Sequence, residues 1–189
     1  LLQLALAKSE AAQAGLQFVI KPSDFVMTQE RTLKQLELAQ GIDVVWTMTN
    51  PQREQQLQPI RFPIDRGLIG WRLLAISQQD AQRFAGLTEA AQLKKMLMVQ
   101  GVDWPDYAVL IANGFQVTPS NHFNGMYQML SRGRVQMFPR SVTEIWPEIA
   151  ERPEASVMVA PRWVLHYPAA LYFFVRKGDH QLAQAISQG

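Results

Sequence analysis

Apolar positions along the chain switch between two periods, and the switches mark its elements. Residues 1–15 (LLQLALAKSEAAQAG) place apolar side chains at helical spacing and end on Gly15, which predicts an amphipathic helix. LQFVIK (16–21) predicts a strand, TQERTLKQLELAQ (28–40) a helix capped by Thr28 and stopped by Gly41, and IDVVWTM (42–48) a strand. The order recurs later, with a strand at LMVQ (97–100), a strand at FQVTP (115–119), a helix over 121–132 stopped by Gly133, and a strand at RVQMF (134–138).

FVIKPSDF (18–25) and FQVTPSNHF (115–123) share a strand pattern, Pro-Ser and an aromatic, and each leads through a helix and a glycine to another strand. This weak internal repeat predicts two similar α/β lobes rather than one continuous sheet. Two long extended stretches, PIRFPIDRGLIGWRLLAI (59–76) and HYPAALYFFVRKGD (166–179), are suited to crossing between lobes, and the helix HQLAQAISQ follows the second. The expected division is therefore a discontinuous first lobe, 1–73 with 168–189, and a second lobe over 74–167. Ligands of open α/β sheets lie beyond the carboxyl ends of strands, so facing lobes would share a cleft.

Composition narrows the function. Eighteen Lys plus Arg against sixteen Asp plus Glu give a net charge of +2, without the basic cluster that tracks a phosphate backbone, so nucleic acid is not expected as a partner. The absence of cysteine removes disulfides, thiolate metal sites and thiol nucleophiles, and leaves the compartment open. No apolar run approaches the roughly 20 residues that cross a bilayer. The opening stretch lacks the basic start of a signal peptide, so the chain is expected to begin inside a fold, with upstream residues missing. His122, His166 and His180 are scattered, no serine has an evident histidine and carboxylate set, and glycine-rich nucleotide motifs are missing; no metal, nucleophile or cofactor is called for.

Three strand-end loops carry the candidate chemistry: TMTNPQR (47–53), QGVDWPD (100–106) and PRSVTE (139–144). In the first, Asn50 can cap a short helix and Pro51 suits its first turn, which puts the cation Arg53 near the positive end of the helix dipole. The residues alone leave Arg53 either as a surface arginine covering apolar area or as a ligand grip. In the second, Gly101 permits close backbone approach and Trp104-Pro105 opens a helix, so free N–H groups of the turn could take an anion. Asp103 reads as an N-cap before it reads as an acid, and Trp104 divides evenly between ligand platform and core. In the third, Ser141 and Glu144 form the S-x-x-E pattern of a capping box, and Arg140 sits at the strand end, open to either solvent or ligand. Trp46 and Trp71 lie in apolar strand patterns that predict burial.

The run DVVWTMTNPQREQQLQPIRFPI through GLIGWRLLAI, then LKKMLMVQGVDWPDYAVLIANGFQV, then LSRGRVQMFPRSVTEIW, resembles the bacterial solute-binding proteins of amino-acid-type ABC transporters across residues 16–186. The resemblance implies the type 2 periplasmic binding protein fold, two lobes hinged around a ligand, although the first strand of that fold is missing here. By the same matching, Arg53 grips the ligand's carboxylate, Thr49 supplies a hydroxyl or backbone N–H, and the turn from Gly101 to Trp104 binds from the other lobe. Phe25 stands in for the aromatic of the missing strand, and Thr47, Trp71 and Val102 complete the contacts. Members of the family commonly place an aspartate after the second lobe's strand to hold an ammonium, where this chain has Ser141 preceded by Arg140. A carboxylate or other anion without an α-ammonium is one expectation, and an ammonium held elsewhere is the other. The resemblance implies a binding protein rather than an enzyme, without cofactor, located in the periplasm or outside the cell, with a transporter permease as partner. Two alternatives remain: the extracytoplasmic sensor of a signalling protein, and a dehydratase on the same fold, for which Asp103 and Glu144 are the nearby carboxylates.

Overall fold

The computed structural model describes residues 1–189. In chain order the elements are α1 (Leu2–Lys8), α2 (Glu10–Gln13), α3 (Gln29–Glu37), β1 (Val45–Met48), α4 (Pro51–Gln56), β2 (Leu57–Ile60) and β3 (Trp71–Ser77). Then come α5 (Ala81–Ala85), α6 (Ala90–Lys94), β4 (Leu97–Gly101), α7 (Pro105–Ala112), β5 (Gln116–Ser120), α8 (Phe123–Ser131), β6 (Phe138–Ser141), α9 (Ile145–Ala150), β7 (Val157–His166), β8 (Leu171–Arg176) and α10 (His180–Gln188). The chain forms two compact units, Leu1–Arg66 with Ala170–Gly189, and Gly67–Ala169. Sequence reasoning placed the changes after 73 and 167. The structural division falls earlier in the first case and later in the second because β3 belongs entirely to the second unit, where it pairs with β6 and β7.

The first unit is built on an antiparallel sheet in the order β1-β8-β2. Successive side chains of a strand point to opposite faces, and the central strand β8 accordingly feeds two cores. Phe173 and Val175 pack with Leu6, Ile60, Ala185 and Ile186 on one face, and Phe174 packs with Leu36, Val45 and Leu57 on the other. Helix α3 starts where predicted, the Thr28 hydroxyl accepting the Arg31 N–H. Ser9 divides the predicted first helix in two by capping α2, its side chain accepting from the Ala12 N–H.

The predicted strand at 16–21 does not form: no strand of this sheet pairs with it, and Leu16, Val19 and Ile20 stay exposed. The proposed repeat loses its first half with that strand. Trp46 is 66% exposed rather than buried, since β1 is an edge strand and α10 packs on β2 and β8.

The second unit carries an antiparallel sheet, β6-β3-β7, and a parallel pair, β4-β5. Leu74 and Ile76 of β3 enter one core with Phe84, Met98 and Met137, while Ala75 enters another with Val99, Tyr127, Leu130 and Phe138. The strand predicted at 134–138 lies further on, at 138–141, because regular pairing with β3 begins with Phe138 opposite Ala75; Met137 makes only an isolated bridge to Met98.

Strand β7 had no sequence signal, since Pro161 interrupts it and proline cannot donate to a ladder. The structure absorbs the proline in an irregularity of register. Val159 pairs with Ala75 and Val164 with Leu73, and Arg162 between them takes φ +70°.

Candidate functional site

In the first unit, Asn50 caps α4 as expected, its Oδ1 accepting the Arg53 N–H at 2.8 Å, and Pro51 occupies the first turn. Arg53 is 4% exposed, which rules out the surface reading. Its Nη1 donates to Thr47 Oγ1 at 2.6 Å and to the Met48 carbonyl at 2.8 Å, and its Nη2 donates to Gln29 Oε1 at 2.9 Å. The end of β1, the start of α4 and the first residue of α3 thus fix the plane of one guanidinium.

Thr47 is buried as part of this set. Thr49 departs from expectation: its N–H donates to the Ala170 carbonyl at 2.9 Å and its hydroxyl to Glu54 Oε1 at 2.7 Å. The Thr49 bond, and after it Arg61 at 2.5 Å, lowers the Glu54 pKa below the usual glutamate value. Phe25 is 77% exposed and lines a shallow depression with Val26, Met27, Arg31 and Gln35, to which Arg53 does not contribute. It is no substitute for a ligand-stacking aromatic beside the arginine.

In the second unit, the turn before α7 is self-satisfied. Gly101 N–H reaches Gln100 Oε1, Val102 N–H reaches the Ser120 carbonyl, and Trp104 N–H reaches the Gly101 carbonyl. The anion cradle expected of this turn therefore lacks three of its donors. Trp104, not Asp103, is the N-cap residue of α7, and it offers no side-chain cap. The glycine has a different reason: a Cβ at Gly101 would lie 2.6 Å from Trp104 ring atoms. Trp104 packs against that bare backbone, stacks with Phe138 at 6.3 Å between centroids, and lies 4.8 Å from the Arg140 guanidinium carbon. Core packing, not an open platform, accounts for it. Trp71, a candidate ligand contact expected to be buried, is 44% exposed, and its ring lies tilted against that of His166 at 4.2 Å between centroids, the residue opposite it in the β3-β7 ladder.

The capping box at 141–144 does not form. Ser141 Oγ accepts from the Thr143 N–H at 3.3 Å and lies 2.9 Å from the Thr143 hydroxyl, while Glu144 itself holds the N-cap position of α9. The Glu144 carboxylate turns instead to arginines. Its Oε2 lies 2.9 Å from Arg140 Nη2 and 3.7 Å from Arg72 Nη1.

Arg140 is buried and donates to Glu148 through Nε at 2.8 Å and Nη2 at 2.5 Å. Burial works to lower its pKa, but the Glu148 bonds and the Glu144 charge outweigh this and raise it. The guanidinium is neutralised within the second unit rather than held ready for an external anion. Tyr127 donates to the same Glu148 at 2.7 Å. Arg72, buried opposite Ser141 in the sheet, pairs with Asp106 at 2.6 Å and donates through Nε to the Tyr167 hydroxyl at 3.0 Å; Tyr167 in turn donates to Asp106. Burial, followed by the neighbouring carboxylate, raises the pKa values of both tyrosines.

Sequence reasoning missed Arg72, Asp106 and Glu148. For Arg72 a signal existed: it is the single charge in the apolar run WRLLAI, and a charge in a buried strand needs a partner. No group of three His, Asp or Glu side chains is placed to hold a metal ion.

No protein-family model matches the chain, and no curated protein matches it. Solved structures do match, across nearly its whole length. An ancestral arginine-binding protein bound to glutamine aligns with a TM-score of 0.65 at 20% identity, covering 98% of this chain and 78% of its own. A periplasmic His/Glu/Gln/Arg/opine family-binding protein from Silicibacter pomeroyi, in complex with lysine, gives 0.68 at 12% identity, covering 98% and 75%. The arginine-bound form of truncated ArgBP from T. maritima gives 0.64 at 18% identity, covering 97% and 81%. The fold is that of the type 2 periplasmic binding proteins, the mixed α/β class that the resemblance implied. These neighbours are binding proteins rather than enzymes. No helix of this chain is long and apolar enough to cross a membrane.

Proposed function

We propose that this protein is a solute-binding receptor of the amino-acid type, which captures a small polar or anionic ligand by closure of two lobes and delivers it to the permease of an ABC transporter, in the periplasm or outside the cell. Binding, without bond making or breaking, is the whole activity. The observation that carries the reading is the setting of Arg53. A guanidinium held in plane by Thr47, Met48 and Gln29 loses little freedom when it meets a carboxylate, and its fixed positive charge favours a charge-assisted bond there. The small cost of a cation at a helix start, a few tenths of a kcal/mol, is outweighed by one such bond at about 1.5–3 kcal/mol.

The fold supports the same reading, and the arginine, glutamine and lysine held by its structural neighbours make amino acids the first compounds to screen. A ligand that favours the folded, closed state raises apparent stability by mass action, so thermal shift finds it. With that ligand, Arg53→Ala and Arg53→Lys weaken binding at least tenfold by calorimetry, about 1.4 kcal/mol, with the circular dichroism spectrum retained. Unchanged affinity in both variants rejects the role of Arg53.

A further inference from the structure

The chain holds two Asn-Gly pairs, Asn113–Gly114 and Asn124–Gly125. In such a pair no Cβ on the second residue hinders its backbone nitrogen from approaching the asparagine Cγ. Asparagine is thermolabile because the two can close into a cyclic imide. The glycine N–Cγ bond forms, the Cγ–Nδ2 bond breaks, and the glycine amide proton leaves with Nδ2 as ammonia. Water then opens the imide at Cγ to give aspartate, or at the main-chain carbonyl carbon to give isoaspartate. The local sequence treats both pairs alike, and the fold does not.

Closure requires the glycine nitrogen to swing about the asparagine ψ until it lies in attack geometry behind Cγ. Asn124 is the second residue of α8, with its Oδ1 held by Arg152 Nη2 at 2.8 Å and the Gly125 N–H held by His122 Nδ1 at 2.9 Å. Met126, Tyr127 and Leu130 follow on the buried side of the same helix, so the swing at Asn124 unwinds a turn that the core holds in place.

Asn113 comes just after the last residue of α7, and both it and Gly114 are exposed. The Asn113 N–H is shared between the Val109 and Leu110 carbonyls at 3.2 Å each. Gly114 stands at φ +79°, and the place of its missing Cβ meets only Lys94 Nζ, at 4.0 Å. Two bonds oppose the swing: Asn113 Nδ2 donates to the Val109 carbonyl at 2.8 Å and the Gly114 N–H to the Ile111 carbonyl at 3.0 Å. Both belong to an exposed helix end, which frays without disturbing the core.

We propose that Asn113–Gly114 is a site of spontaneous covalent modification, at which the imide closes and reopens to aspartate or isoaspartate, and that the fold protects Asn124–Gly125 from the same reaction. Either product puts a carboxylate on the depression that Asn113 lines with Lys94 and Phe115. Isoaspartate also adds a carbon to the main chain between α7 and β5. The reaction is independent of any ligand the protein takes.

The test ages the folded full chain in mildly alkaline buffer well below its Tm, and a second sample in urea. Chymotrypsin, which cuts after Phe115 and Phe123, separates the two pairs, and mass spectrometry with fragmentation follows aspartate and isoaspartate in each peptide. In the folded protein the Asn113 peptide is expected to convert at least about tenfold faster than the Asn124 peptide, and in urea the two rates converge. Asn113→Gln removes both products from the first peptide. Equal rates in the folded protein, a faster Asn124, or a folded protein in which neither pair reacts overturns the proposal. So does the same tenfold difference in urea, since the selection would then lie in the neighbouring residues and not in the fold.

Discussion

Removing Glu148 should unseat the charge network of the second unit. Its carboxylate makes two bonds to Arg140, at 2.8 and 2.5 Å, and accepts the Tyr127 hydroxyl at 2.7 Å. Truncating one partner of a buried ion pair leaves an uncompensated charge and typically costs 3–5 kcal/mol. The stranded tyrosine hydroxyl adds about 1–3 kcal/mol if nothing replaces its acceptor. Glu144 at 2.9 Å remains as a partial counter-charge and pulls the sum down. Glu148→Ala is therefore expected to lose about 3–4 kcal/mol, or about 10 °C in Tm for a chain of this size. Urea unfolding followed by circular dichroism reads the loss. The double variant Arg140→Met with Glu148→Met, which removes both charges and keeps the volume, should recover most of it. A single variant losing under about 1 kcal/mol, or a double variant no better than the single, would refute the view that the pair is desolvated and mutually dependent.

Two further outcomes follow from the same geometry. Gly101→Ala should destabilise by about 1–3 kcal/mol, read as a fall in urea midpoint, because the new methyl meets the Trp104 ring and the ring must move; an unchanged midpoint would mean the ring is not confined. Of the four tyrosines, Tyr127 and Tyr167 have raised pKa values, so phenolate absorbance should show two titrating late. For such groups the unfolded chain gives up its protons first, so their contribution to stability is complete below about pH 10 and is lost as pH rises through the folded value. Four phenols titrating together near the ordinary value in folded protein would contradict the burial.

Much of the fold was legible because helix punctuation is local. Thr28, Asn50 and Pro51 act as expected, and Gly15 and Gly133 take positive φ just beyond their helices, whereas α3 already ends at Glu37 and the chain turns at Ala39 (φ +55°) before it reaches Gly41. What was not legible depends on partners remote in sequence. LQFVIK has a strand's composition but no strand to pair with, and β7 exists despite Pro161 because β3 offers it a ladder on both sides of the irregularity. The site divides along the same line. Arg53 could be singled out from its contradiction with helix electrostatics, which is a local fact. The fate of Arg140 could not, since Glu144 and Glu148 read as an ordinary helix start until the strand end is seen to turn its guanidinium toward them.

The strand order β1-β8-β2 also sets a timetable for biosynthesis. The middle position belongs to residues 171–176, so β1 and β2, made more than a hundred residues earlier, have no neighbour to bond until β8 arrives. The second unit, continuous from Gly67 to Ala169, has all its strands by then. On the ribosome, the domain begun second is thus the one that can finish first, while the amino-terminal segment up to Arg66 waits with both its strands unpaired until β8 leaves the tunnel.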